Sequence, residues 1–187
     1  MRKGSRSRAV TAVAAVVSVV VLAAGTAWAH VTVHPGSLPK GSSDALLSFA
    51  IPNERSDGVA TTIVELDLPT DHPLLGVHAE DRAGWTVNVV TTKLAKPVTT
   101  DDGQITEAVS KVTWTATASG IGQDEFALFT LLVGTVPSDT GKLVFKALQT
   151  YRDGQVVSWI EPIVKGTPQP EHPTPILQLT GKTKQKR

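Results

Sequence analysis

The stretch Leu143-Val144-Phe145-Lys146-Ala147-Leu148-Gln149-Thr150-Tyr151-Arg152-Asp153-Gly154-Gln155-Val156-Val157-Ser158-Trp159-Ile160 decides the fold. Two runs rich in apolar, β-branched and aromatic residues flank Asp153-Gly154. That pair accepts the positive φ of a type I′ turn, so the stretch predicts a β-hairpin with residues 143–151 and 155–160 as its arms. Outward from it, the same grammar repeats. Residues 31–33 open a strand that Pro35-Gly36 interrupts, and residues 46–51 form a second, ending at Pro52. Residues 61–68 alternate up to Pro69, residues 85–91 follow Ala83-Gly84, and residues 106–116 follow a turn at Gly103, with Val112, Trp114 and Ala116 on one face. Residues 126–133 are more continuously apolar, as a strand covered on both faces would be. No long segment carries a 3.6-residue apolar period. Short strands at regular spacing predict an all-β sandwich or barrel. From Gly166 the chain turns Pro-rich, residues 176–179 are expected to add an edge strand, and residues 181–187 read as a mobile basic tail.

Composition narrows the class. The chain has 187 residues, 18 Lys and Arg, 17 Asp and Glu, and a formal charge of +1. That charge misleads. Four basic residues lie in residues 1–29 and four in the last six positions, so the body between them carries ten basic residues against 17 acids. An acidic body argues against nucleic acid as a partner. Cys is absent, and the single Met is Met1. No disulfide can staple the domain, and no soft sulfur ligand is available for Cu(I).

Residues 1–29 read as a secretory signal peptide. Arg2, Lys3, Arg6 and Arg8 form a basic start, residues 9–24 an apolar run, and Ala27 and Ala29 the small residues at −3 and −1. The run is too short and wrongly flanked for a permanent membrane span. The expected product is an exported chain of one domain over residues 30–180, with no membrane span after processing. Cleavage after Ala29 makes His30 the first residue. An N-terminal His offers its α-amine and its ring Nδ1 to one metal ion, which no internal His can do. An amine–imidazole pair favours Cu(II). The alternative is that some residue must come first and here it is His.

The other candidates are weighed against plainer roles. His34 follows His30 by four residues, about 13 Å on an extended strand, too far to share an ion. His72, His78 and His172 read as solvated loop or surface histidines. Glu54, after Pro52-Asn53 at a strand end, and Glu161, after Trp159-Ile160, can each point an oxygen at an ion held by His30; the plain reading is a solvated strand-end acid. Trp159 can close the open side of such a site and face the cation with its π cloud, or be a core or rim tryptophan. Trp85 and Trp114 read as core. Gly120-Ile121-Gly122 is a lone glycine pair in a turn. Neither a nucleophile elbow, a phosphate loop nor a paired-His zinc motif is present, and the chain does not read as an enzyme.

Several phrases together resemble one family: Ala29-His30-Val31-Thr32-Val33, Ile51-Pro52-Asn53-Glu54, Ala83-Gly84-Trp85-Thr86, Val112-Thr113-Trp114-Thr115-Ala116, Gly120-Ile121 with Phe126 and Phe129, and Ala147-Leu148-Gln149-Thr150-Tyr151 through Asp153-Gly154 to Trp159-Ile160-Glu161. In order and joint presence they resemble the YcnI-like family of exported bacterial copper-binding proteins, from His30 to about Leu179. The resemblance implies an antiparallel β-sandwich of cupredoxin-like or immunoglobulin-like type. It implies Cu(II) held by a single-histidine brace at His30, with Glu54 as the glutamate and Trp159 beside the metal; Glu161 is the competing glutamate or an outer partner. It further implies a carrier, chaperone or copper-acquisition role in the cell envelope, with a membrane copper importer or another copper chaperone as partner. Many relatives carry a C-terminal membrane helix, and residues 181–187 are not one. Two readings from other classes stay open: a copper oxygenase of the polysaccharide type, which needs a second histidine at the metal, and a metal-free immunoglobulin-like adhesion module.

Overall fold

Alternation of buried and exposed side chains lays down twelve strands in a computed structural model that describes residues 30–181. The expected leader, residues 1–29, and the basic tail beyond Gly181 lie outside the described residues. The strands are β1 (Thr32–His34), β2 (Ser37–Pro39), β3 (Ser43–Pro52), β4 (Thr61–Asp67), β5 (Leu75–Ala79), β6 (Trp85–Thr100), β7 (Gly103–Ala116), β8 (Phe126–Thr135), β9 (Lys142–Val144), β10 (Lys146–Tyr151), β11 (Val156–Trp159) and β12 (Ile176–Thr180). One sheet runs β1-β3-β8-β5, a second β11-β10-β4-β7-β6, and a small third β2-β12-β9. Among the described residues no helix is long and apolar enough to cross a membrane.

The two large sheets stack through their inward residues, the arrangement of a β-sandwich. β3 contributes Ala45, Leu47, Phe49 and Ile51, and β8 contributes Ala127, Phe129, Leu131 and Val133, each set at every second position and buried. The facing sheet contributes Val64 and Leu66 from β4, Val112 and Trp114 from β7, and Ala147, Gln149 and Tyr151 from β10. Aromatic pairs bridge the layers: Phe129 meets Trp114 at 5.1 Å and Trp85 edge-on at 5.0 Å, and Phe49 meets Phe145 at 5.0 Å.

Four local expectations change in the folded chain. β8 is not covered on both faces: its inward set is buried, while Phe126, Leu128 and Leu132 stand exposed on the outer face. The β10–β11 connection is not a type I′ turn, because Asp153 keeps a negative φ and only Gly154 is positive, at 88°. The Gly154 N–H donates to Tyr151 O at 2.9 Å and the Tyr151 N–H to Gln155 O at 2.9 Å, a type I turn closed by a left-handed glycine. Residues 176–180 are not an edge strand: β12 lies between β2, its parallel neighbour, and antiparallel β9. β6 runs on to Thr100 rather than stopping near Thr91. Its outer half pairs with β7 alone, through register shifts at Val90/Thr91 and Lys93/Val98. That arm is largely exposed, so its sequence need not alternate.

The Gly120-Ile121-Gly122 turn is structural. Thr61 and Ile121 exchange backbone hydrogen bonds of 2.9 and 3.0 Å. Gly120 has φ +79°, and a Cβ there would lie 2.1 Å from Thr61 O, so only glycine fits.

Candidate metal centre

The chain enters the site corner where β3 ends. Asn53, buried at 5% exposure, fixes the residues that follow. Its Nδ2 donates to Val59 O at 2.9 Å and Ile121 O at 3.0 Å, its backbone N–H donates to Glu125 O at 2.9 Å, and its Oδ1 accepts the Arg55 N–H at 3.0 Å. Glu54 is thereby held between two anchored residues. Arg55 supplies the second anchor. Its Nε donates to Asp57 at 2.9 Å, Nη1 to Asp153 at 2.6 Å and Gln155 at 2.9 Å, Nη2 pairs with Asp57, and the guanidinium lies 5.1 Å from the centre of the Tyr151 ring. The loop after β3 is thus clamped to the β10–β11 turn. The charges respond: the Arg55 hydrogen bond holds the Asp57 carboxyl below the usual range, and the Gln155 N–H, then Arg55, does the same for Asp153. Glu54 Oε1 is shut off from solvent. Burial, and then the Glu54 charge, push the Tyr151 phenol upward.

His30 precedes β1, whose Thr32 pairs with Ala50 of β3. That pairing brings the start of the domain to the end of β3, and His30, Pro52, Glu54, Arg55, Glu125 and Phe126 line one open cleft of about 540 Å³. His30 and Glu54 therefore share a wall across 24 positions of sequence. Trp159, 1% exposed, closes β11. Its ring centre is 6.0 Å from that of His30 at an interplanar angle of 68°. Three of the residues singled out from sequence thus meet at one corner.

Glu161 takes a different course. It lies just past β11 and bridges to Pro173, with the Glu161 N–H donating to His172 O at 3.0 Å and the Thr174 N–H to Glu161 O at 2.9 Å. Its carboxylate accepts the His172 N–H at 3.4 Å and stands 3.9 Å from the His172 ring. His172 is not a solvated loop histidine: its ring packs against Trp159 at 5.1 Å, and its side chain is 25% exposed. His34 is exposed and meets Thr32 Oγ1 at 3.0 Å, His78 sits exposed on β5, and His72 stands 3.1 Å from Asp139, facing a separate cleft.

Two glutamines complete the corner without having been read from sequence. Gln149, 1% exposed, donates from Nε2 to Pro52 O at 2.8 Å and Thr61 Oγ1 at 2.7 Å, and accepts the Trp159 indole N–H at 3.2 Å. A polar residue at an inward position of an alternating strand, between Ala147 and Tyr151, is the sequence signal for Gln149. Gln169, in the loop between β11 and β12, meets His30 Nδ1 at 3.1 Å. No spacing rule announces that contact, because 139 positions separate the two.

Among the described residues, no group of three or more His, Cys, Asp or Glu side chains is placed to hold a metal. The cleft is lined by the His30 imidazole and the carboxylates of Glu54, Asp124 and Glu125, of which Glu125 accepts the Gly122 N–H at 2.8 Å and Asp124 the Gln123 amide at 3.2 Å, so an ion held by His30 and Glu54 would need further donors from backbone or solvent. The set is nitrogen and oxygen only, which suits borderline cations and not a thiophilic one.

The solved structures include one from Nocardia farcinica described as an uncharacterised protein with an immunoglobulin-like fold. It is 33% identical to this chain, with a TM-score of 0.63 and coverage of 80% of this chain and 97% of that one. A protein of Bacillus subtilis (strain 168) named "Copper-binding protein CutI" is 31% identical over 151 residues, 81% of this chain. The match spans 65% of the length of that relative. Residues 30–179 match a family described as "Domain of unknown function (DUF1775)". The match takes in both β-sheets of the sandwich and the corner at His30, and the chain belongs to this DUF1775 family, the family of YcnI.

Proposed function

We propose that the processed chain binds one Cu(II) ion at its first residue and carries it outside the cytoplasm, as a donor or carrier and not as an enzyme. The observation that carries this reading is the shared cleft: His30 and Glu54 line it together, with Trp159 beside the imidazole, in a chain similar to a protein named for copper binding. Removal of residues 1–29 would free the α-amine of His30, which with Nδ1 gives the chelating pair that a lone internal imidazole lacks. Glu54 adds a hard anionic oxygen, and the Trp159 wall limits water on one side. Nothing soft is offered, which favours the cupric over the cuprous ion.

The residues of the site do identifiable work. Gln169 Nε2 lies 3.1 Å from His30 Nδ1, so its amide must yield for that nitrogen to bind an ion. Arg55 and Asn53 keep the Glu54 loop from drifting. Ligating nitrogens must be deprotonated, and an α-amine has a pKa of roughly 8. Copper therefore displaces a proton on binding, and acid releases it. A membrane importer or a second copper chaperone would be the exchange partner.

The test compares Cu(II) titrations of the processed protein and of a version with one extra residue ahead of His30. Loss of an outer partner of a metal ligand alone costs about 10–100-fold in affinity. Removing the terminal amine from the chelate should therefore weaken binding by more than about a hundredfold. Equal affinities would overturn the brace.

A further inference from the structure

We propose that Gln149 is a positioning residue that locks Trp159 and the Glu54 loop into one unit around His30; this rests on the copper reading above. Gln149 lies on β10 of one sheet and Pro52 at the end of β3 in the other, and no backbone ladder joins those two strands. The side chain of Gln149 does join them, through the 2.8 Å bond to Pro52 O, two residues before Glu54. Its other end holds the indole N–H of Trp159 at 3.2 Å.

The direction of that amide is dictated by its partners. An indole nitrogen can only donate and a backbone carbonyl can only accept, so the Gln149 oxygen must face Trp159 and its nitrogen Pro52. The second amide hydrogen goes to Thr61 Oγ1 at 2.7 Å. A buried amide is costly unless its hydrogen bonds are made, and here both amide hydrogens and the carbonyl oxygen are used. The ladder from β10 to β11 pairs Ala147 with Trp159 and so sets the backbone of Trp159. The ladder does not set the rotation of the ring; burial and the His172 ring at 5.1 Å confine it without direction, and the Gln149 carbonyl adds the directional bond to its N–H. A methionine would fill similar space and release both arms.

The experiment uses the processed protein, Gln149→Met, and Thr61→Val as a control that removes one Gln149 partner but leaves both arms. Two signals are read. One is the Trp159 indole N–H resonance in the metal-free protein, resolved from those of Trp85 and Trp114. The other is the Cu(II) electron paramagnetic resonance spectrum with the copper affinity. Gln149→Met should move the Trp159 resonance, alter the copper hyperfine pattern and weaken binding about 10–100-fold. Thr61→Val should lower thermal stability and leave both signals in place. If Gln149→Met leaves the copper spectrum or the indole resonance unchanged, or if both variants alter the spectrum alike, the positioning role is overturned. Should Gln149→Met fail to fold, Gln149→Asn keeps an amide in the pocket but is one methylene too short to span both arms, and the same signals decide. A wild-type protein whose copper signal is indifferent to His30 would sink the copper reading instead, and the metal-free indole resonance would still decide whether Gln149 orients Trp159.

Discussion

The middle of the sandwich and its His30 corner are built on opposite principles. Around Phe129 the interior is apolar: Trp114, Trp85, Phe49, Leu131 and Val112 meet across the two sheets with ring centres near 5 Å. Of the buried polar residues, Asn53, Thr61 and Gln149 are joined to the corner by hydrogen bonds, and Thr174 lies beyond it against Glu161. Asn53 and Thr61 meet the Ile121 turn, Gln149 meets Pro52 and Trp159, and Thr174 meets Glu161. Apolar contacts are non-directional and fix volume. Hydrogen bonds fix direction, at the cost of removing polar groups from water. The contrast teaches that this domain uses shape where only stability is needed and hydrogen bonds where loops must be aimed.

The contrast can be broken most forcefully in the middle. Phe129→Ala should cost about 3–5 kcal/mol by cavity formation, read by denaturant unfolding. The protein that remains folded should keep its copper affinity, because nothing at the corner leans on that ring. A large loss of affinity in the folded fraction would show that the two regions are not separable.

Asn53→Ala attacks the corner. It strips hydrogen bonds from Val59 O and Ile121 O and should cost about 1–3 kcal/mol. Unlike Phe129→Ala, it should also weaken copper binding, since Glu54 loses the anchor beside it. Reduced stability with undiminished affinity would place Asn53 with the scaffold and blur the division.

The gentlest probe sharpens the corner's electrostatics without metal. Tyr151 is the single tyrosine of the chain, so phenolate absorbance titrates it alone. Burial is the larger cause of its upward shift and the Glu54 charge the next. Its titration should therefore run above the ordinary tyrosine range of roughly 10, and Glu54→Gln should move it down. The sign for stability follows. A phenol raised on folding favours the native state below its ordinary pKa, and that contribution fades as pH rises through the folded value. A titration that Glu54→Gln leaves in place would mean that the Glu54 carboxylate does not face the ring.

Much of this was legible from residues alone because burial imposes a period. β3 buries every second residue and β4 does so from Val64 onward. β8 does the same, but its exposed Phe126, Leu128 and Leu132 hide that period in an unbroken apolar run. The outer half of β6 is exposed at most positions, with Leu94 its one buried residue, and so lacks the period that would have revealed it. The β12 strand was legible as a strand but not as a central one, because its neighbours β2 and β9 lie far from it in sequence, β2 near the start of the domain. The hairpin at Asp153-Gly154 was legible while its turn type was not; Asp153 stays at negative φ, with its Oδ1 accepting the Gln155 N–H at 3.1 Å.

At the site the division has the same cause. His30 was nameable from the expected processing site, and Glu54 and Glu161 alike as acids at strand ends; preferring Glu54, and setting Trp159 beside the metal, rested on the family resemblance. The meeting of His30, Glu54 and Trp159 in one corner, the withdrawal of Glu161 toward His172, and the contacts of Gln149 and Gln169 arise from strands of two different sheets and a long loop. Composition and alternation determined that this chain makes a cysteine-free β-sandwich with nitrogen and oxygen donors, because those follow from local sterics and burial. Which of the donors share a cleft was decided only when the β1–β3 ladder set His30 beside the end of β3 and the Gln149 amide spanned the layers, since sequence distance carries no information about contacts made across a folded interior.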